Sequence, residues 1–91
     1  MRKIVAAAII HRGKIYTGRY HGEAIHKAFL ETNDVVRGCQ GFIDDEGDFH
    51  DRYDAAKIAI MAGQIKESDL VEVKHRKLFS EDIDLTNPME Q

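Results

Sequence analysis

Six carboxylates and one arginine crowd the stretch between Gly41 and Asp54, in "GFIDDEGDFHDRYD". Carboxylates at this density can hold a calcium ion, act as a pair of catalytic acids, or simply face water. A calcium loop needs oxygen ligands at positions 1, 3 and 5, glycine at 6 and glutamate at 12. Counting from Asp44 places Glu46 and Asp48 correctly, but puts Phe49 at 6 and Ala55 at 12. A catalytic pair needs an apolar setting that separates two pKa values, and this run offers many equivalent acids on a turn. The acids therefore read as a solvated turn, with "DDEG" as its tip. Histidine and cysteine come next: His11, His21, His26, His50, His75 and the single Cys39. Zinc sites repeat at short spacings. His21 and His26, five apart, fall on different faces of a helix, so no zinc site is expected. Neither a phosphate-binding glycine loop nor a nucleophile motif is present.

What remains is a group of anion- and base-binding residue types at element ends. Arg19 and His21 stand where a strand turns into a helix, beside backbone N–H groups left free at a helix start. Gln40 and Phe42 flank Gly41, offering an amide and an aromatic face. Arg52 opens a second helix and Gln64 follows its end. Each also has an ordinary reading: Phe42 as core, Arg52 as a solvated cation or a partner of Asp48 or Asp54, Gln64 as a polar residue past a helix. A nucleotide-sized ligand is the chemistry these residues would serve together.

The elements that must position them follow from periodicity. "KIVAAAII" (3–10) is an almost unbroken apolar run, the pattern of a strand buried on both faces. A turn centred on Gly13 joins it to the alternating "KIYTG", giving a β-hairpin over 3–18. From His21 the period becomes helical through Ala24, Ile25, Ala28 and Phe29, with Lys27 and Glu31 as an i,i+4 pair, to about 32. "VVRGCQGFI" is extended again, "DDEG" turns, and "DFH" returns. Asp51 is an N-cap for a helix over 52–62, with Ala55, Ile58, Ala59 and Ala62 on one face and Gly63 just beyond its end. "LVEVK" (70–74) alternates like a half-buried strand. Leu78, Phe79, Ile83 and Leu85 suit a docked tail, and 86–91 a frayed one. The fold class is α+β: a small antiparallel sheet, made of an N-terminal hairpin, a central hairpin and one further strand, packed against two helices in a single domain.

With 91 residues, the chain is small enough for oligomerisation to add core. It is 43% hydrophobic and 32% charged, with a formal net charge of −3. That sum conceals an asymmetry: residues 1–37 hold seven Lys or Arg against three Asp or Glu, and residues 38–91 hold six against thirteen. Such a molecule can associate head to tail or bind an anion near its basic part, but lacks a surface for long nucleic acid. No apolar run approaches membrane-spanning length. The basic-then-apolar start is too short for a secretory signal and reads as a strand, and a lone cysteine suits a reducing cytoplasm.

The opening strand pair is similar to that of Nudix hydrolases, without the Glu-rich helix that binds their metal. The GxxG of "VVRGCQGFI" matches the KH-domain phosphate clamp, yet it runs into "DDEGD" instead of joining two helices on a basic surface. A broader likeness covers Ile4 to Leu85. "AAAIIHRGKIYTGRYH", "GCQGFIDDEGDFHDRYDAAKIAIMAGQI" and "LFSEDIDL" resemble a family of small phage proteins that share a glycine hairpin, a basic-His motif, QGF, FxDR, GQI and a C-terminal SEDL. The pattern resembles the anti-defence sponges that counter Thoeris immunity by sequestering cyclic ADP-ribose isomers, some also taking cyclic oligonucleotides of the CBASS system.

That resemblance implies a non-enzymatic protein in the cytoplasm of an infected bacterial host. It would bind a small nucleotide signal without cleaving it, need no cofactor or metal, and form a homo-oligomer, dimeric or higher, with no membrane partner. It also implies roles. Phe42 or Phe49 would stack on adenine, worth about 1–3 kcal/mol per base elsewhere. Arg19 and Arg52 would bind pyrophosphate, and His21, Gln40, Asp51 and Gln64 would meet ribose hydroxyls. Two departures stand out: Tyr20 replaces a basic residue usual before the His, and the tail reads "SEDIDL". The alternatives are a small phosphoesterase using the 44–54 acids to hold a divalent ion, and a structural or protein-blocking phage factor.

Overall fold

A computed structural model describes residues 2–70, 77–83 and 85. Among these residues, four antiparallel strands form one open sheet in the order β2-β1-β3-β4: β1 Ile4–His11, β2 Lys14–Gly18, β3 Cys39–Asp44 and β4 Phe49–Asp51. Two helices, α1 His21–Thr32 and α2 Arg52–Met61, follow the two hairpins, so the α+β architecture is the expected one. Of the further strand expected at 70–74, only Leu70 is among the described residues, and it is buried. The tail from 86 lies outside them.

Local chemistry sets each boundary. Arg12 and Gly13 both take positive φ (54° and 77°) in the two-residue β1–β2 turn, the left-handed pair that matches the twist of a tight hairpin. Asn33 ends α1 in the left-handed region and donates its N–H to Phe29 O. Asp51 caps α2 by accepting the Asp54 N–H at 2.8 Å. α1 has no such help from its own N-cap, Tyr20, whose side chain makes no capping bond.

Register places both helices on one face of the sheet. Ala7 lies opposite Phe42, and Ile9 opposite Tyr16, and alternate residues of a strand share a face. Ile9 and Tyr16 pack with Ala24 and Ala28 of α1. Ala7 and Phe42 pack with Ala55, Ala56 and Ala59 of α2, together with Ile4, Leu70, Leu78 and Ile83. Alanines at every close contact let the helices sit low on the sheet. The expected Lys27–Glu31 pair does not form. Glu31 instead binds Lys14 on β2 at 2.7 Å, and Lys27 reaches Thr17 O at 2.9 Å, because both partners lie where α1 crosses β2.

The acidic turn is only partly solvated, which corrects the reading of "DDEG" as an exposed tip. Asp44 is 1% exposed. Its Oδ1 accepts the N–H groups of Glu46 and Asp48 at 2.8 and 3.0 Å, and its Oδ2 accepts His50 Nε2–H at 2.7 Å and the Arg2 guanidinium. Burial raises the carboxyl pKa, but these donors outweigh it and hold Asp44 well below the usual carboxylate range. A side chain with this many bonds acts as the knot of the β3–β4 hairpin. Asp45, Glu46 and Asp48 do face water.

Candidate functional site

Sequence-distant residues meet where the N-termini of α1 and α2 approach the middle of β3, with the segment Leu78–Asp82 lying between them. Leu78 donates its N–H to Arg52 O at 3.0 Å, and Arg52 Nη1 returns a bond to Leu78 O at 2.8 Å. The Arg52 guanidinium then stacks on the Phe79 ring, 4.3 Å from its centroid, and donates to Gln40 Oε1. All three contacts are with neutral groups. Burial draws the guanidinium pKa down, while Glu81 and Asp82 act on it through space in the opposite sense. A cation partly withdrawn from water and bonded to neutral acceptors keeps its attraction for an anion.

His21, at the first turn of α1, is 6% exposed and fully bonded. Its Nε2 lies 2.7 Å from Gly41 O, so this nitrogen carries the proton and donates. Nδ1 is then the acceptor for the Ser80 hydroxyl at 3.0 Å, and the same hydroxyl oxygen accepts the His21 backbone N–H at 3.3 Å. Ser80 thus caps α1 from 59 positions away, supplying what Tyr20 lacks. Burial, reinforced by the charge of Arg52, pushes the imidazole below its ordinary pKa against the opposing pull of the Gly41 carbonyl. The ring is neutral near pH 7 and meets Phe42 edge to face at 4.8 Å between centroids.

Gly41 is fixed by close approach. A Cβ built there would lie 2.1 Å from His50 O and 2.6 Å from the Phe49 ring. The glycine of "QGF" therefore lets β4 and Phe49 close over β3 while its own carbonyl serves His21.

The eight residues singled out in the sequence divide accordingly. His21, Gln40, Phe42 and Arg52 come together. Phe42 is fully buried and presents no face to a base, which settles the choice of core aromatic between it and Phe49. Phe49 is half-buried on the opposite side of the sheet, opposite Ile43. Arg19 is held by Glu23, 3.0 Å from Oε2, and Asp51 is spent on the α2 cap. Gln64 lies elsewhere: its Oε1 accepts the Ile4 N–H at 2.8 Å and its Nε2 donates to Ile4 O at 2.7 Å. Leu78, Phe79 and Ser80 were not singled out. "LFSED" signalled a docked tail but not its destination, because nothing local ties Ser80 to His21.

Among the described residues, no group of three or more His, Cys, Asp or Glu side chains is placed to hold a metal ion, and no helix is long and apolar enough to cross a membrane. A protein-family model described as "Phage T4 y16D protein" matches residues 3–84. No curated protein and no solved structure matches the chain.

Proposed function

The chain belongs to the family of small phage proteins described as Phage T4 y16D protein, and from that premise we propose that it binds and sequesters an anionic cyclic-nucleotide signal without cleaving it. The observation that carries the reading is Arg52. Its guanidinium is half-buried between Phe79, Gln40 and Leu78 O, with no carboxylate in direct contact among the described residues. The other arginines with described contacts differ: Arg2, Arg12 and Arg19 each hold an Asp or Glu. A phosphate or pyrophosphate arriving at Arg52 would add charge neutralisation without first breaking an ion pair. Gln40 offers an amide at the same point, and the Phe79 ring backs the guanidinium plane. The ligand class, a cyclic ADP-ribose isomer or a cyclic oligonucleotide, comes from the motif resemblance together with this anion-seeking group.

The test is retention. Purified protein is incubated with cyclic ADP-ribose isomers and cyclic oligonucleotides, freed of unbound ligand, heat-denatured, and the released material analysed. Intact nucleotide is the expected result. Arg52→Gln should weaken retention by about 10- to 100-fold, the loss of one or two charge-assisted hydrogen bonds. Altered nucleotide would replace this reading with the phosphoesterase one. No release at saturating ligand would overturn both and leave a protein-directed factor.

A further inference from the structure

Along α1, an uncharged cleft opens beside the site of Arg52. Gly22, Ile25, His26 and Phe29 form one wall, and Val35 and Val36 the other, around a volume of about 480 Å³. Small-ligand sites usually enclose about 300–1,000 Å³. Gly22 and Phe29 are seven residues apart, so the cleft follows about 10 Å of helix. Among the described residues, no Lys, Arg, Asp or Glu lines it, in a chain that is 32% charged. Phe29 and Val35 are both exposed there, which leaves large apolar side chains in water. The other flank of α1 fixes where the cleft lies. On that flank Glu23, Lys27 and Glu31 bond Arg19, Thr17 O and Lys14, in and beside β2, so the cleft is on the β3 side. Its near end is one residue from His21, whose ring bonds Gly41 O, and Gln40, next to Gly41, holds Arg52. The Tyr20 ring lies over Gly22 at that end, 3.2 Å from where a Cβ would be. The far wall is held at both ends. Asp34 pairs with Arg12, and a Cβ at Gly38 would fall 1.3 Å from Ile10 O, so the chain carrying Val35 and Val36 is pinned to β1.

We propose that this cleft is a base subsite: it takes the purine ring of a nucleotide whose phosphate lies on Arg52, an assignment that rests on the anion-binding role given to Arg52 above. The chemistry of the two regions divides the ligand between them. Arg52, bonded to neutral groups, suits the phosphate. A cleft without charged walls would strip water from a charge and offer no partner in return. The neutral, flat part of the ligand therefore belongs in the cleft. A nucleobase presents two apolar π-faces, which aromatic side chains accept whatever the base. Phe29 supplies that aromatic face, the role that the fully buried Phe42 cannot fill. Ile25, Val35 and Val36 supply aliphatic packing. His26, exposed on the same wall, brings a ring nitrogen able to hydrogen-bond the edge of the base. A purine covers more of the roughly 10 Å length than a pyrimidine does. An apolar peptide would fill the same groove, but it gives Arg52 no anion.

Titration of the intact, Ile- and Val-methyl-labelled chain with AMP, followed by NMR, tests this, with ribose 5-phosphate as the control that lacks a base. AMP should shift the Ile25, Val35 and Val36 methyls together with the Arg52 side chain, and ribose 5-phosphate the Arg52 side chain alone. Phe29→Ala should weaken AMP by about 5- to 100-fold, the loss of one base–aromatic stack, and leave ribose 5-phosphate unchanged. Val35→Ala, at a position 64% exposed, should give the same split in smaller measure, so the test does not hang on one variant folding. Leu30→Ala, 67% exposed on α1 but outside the cleft, should change neither ligand. Equal affinity for AMP and ribose 5-phosphate overturns the inference, as do cleft methyls that stay still with AMP. So do cleft methyls that shift with protein concentration alone, which would mean that another copy fills the groove. Cyclic nucleotides retained equally by wild type and Phe29→Ala would sink the base subsite and leave the proposed function standing. An Arg52 side chain that ignores both ligands would remove the anion site itself, and this inference with it.

Discussion

Replacing Ser80 with alanine removes one hydroxyl and with it two bonds that tie the C-terminal segment to α1. The His21 N–H loses its acceptor at 3.3 Å, and His21 Nδ1 loses its donor at 3.0 Å. Loss of an N-cap costs about 0.5–2 kcal/mol. A buried acceptor left without a partner costs about 1–3 kcal/mol, less if water follows into the space of the hydroxyl. The expected total is about 2 kcal/mol. For a domain of this size that lowers Tm by roughly 10 °C, and at a urea m-value of about 1–2 kcal/mol/M it lowers the midpoint by about 1–2 M. Ser80→Thr, which keeps the hydroxyl, should recover most of the loss. Hydrogen exchange adds a local signature, since the His21 amide should lose protection more than amides in the middle of α1. A Ser80→Ala protein within about 0.5 kcal/mol of wild type, with His21 still protected, would refute the capping role.

Further expectations follow from the same neighbourhood. His21 has a folded pKa below its unfolded value of about 6.5, so the unfolded chain takes up a proton first as pH falls. Its contribution is fully present above about pH 6.5 and declines as pH drops from there towards the folded pKa. Unfolding free energies between pH 5 and 8 should therefore show a slope that flattens in His21→Gln. Gly41→Ala should break the β3–β4 pairing, because its methyl meets His50 O at 2.1 Å; loss of Phe49 and Asp51 amide protection is the measurement. Phe42→Ala should destabilise by about 3–5 kcal/mol as a core truncation, with urea unfolding as the check, whereas the half-buried Phe49→Ala should cost clearly less.

Local signals made most of the fold legible. Period change at His21, the Asp51 cap and the Arg12–Gly13 turn each carry their information within a few residues, and α1 and both hairpins fall where those signals place them. Features that join distant residues were not legible. Asp44 looks like its acidic neighbours in the sequence; only the closure of the hairpin around it, with Arg2 arriving from the other end of the chain, makes it a buried acceptor. Alternation could not separate Phe42 from Phe49 across a glycine-rich hairpin, and packing decided it. Arg52 and Gln40 were singled out by type and do meet, but the third and fourth walls, Phe79 and Leu78, come from a tail whose docking point has no local code.

Gln64 has a consequence for how the sheet ends. The primary amide of glutamine carries a donor and an acceptor side by side, as a peptide group does, and at Ile4 it meets the backbone N–H and C=O together. β2 pairs with β1 only as far as Ala7, opposite Gly18, so Ile4 lies beyond the end of that ladder. The side chain thus acts as a one-residue counterfeit strand, quenching a stretch of open edge that would otherwise invite strand addition from another chain. Asparagine, one methylene shorter, could not span the same gap from the same backbone position. A single glutamine after α2 thereby closes part of the rim of the sheet, the place where strand-by-strand association can run on without limit.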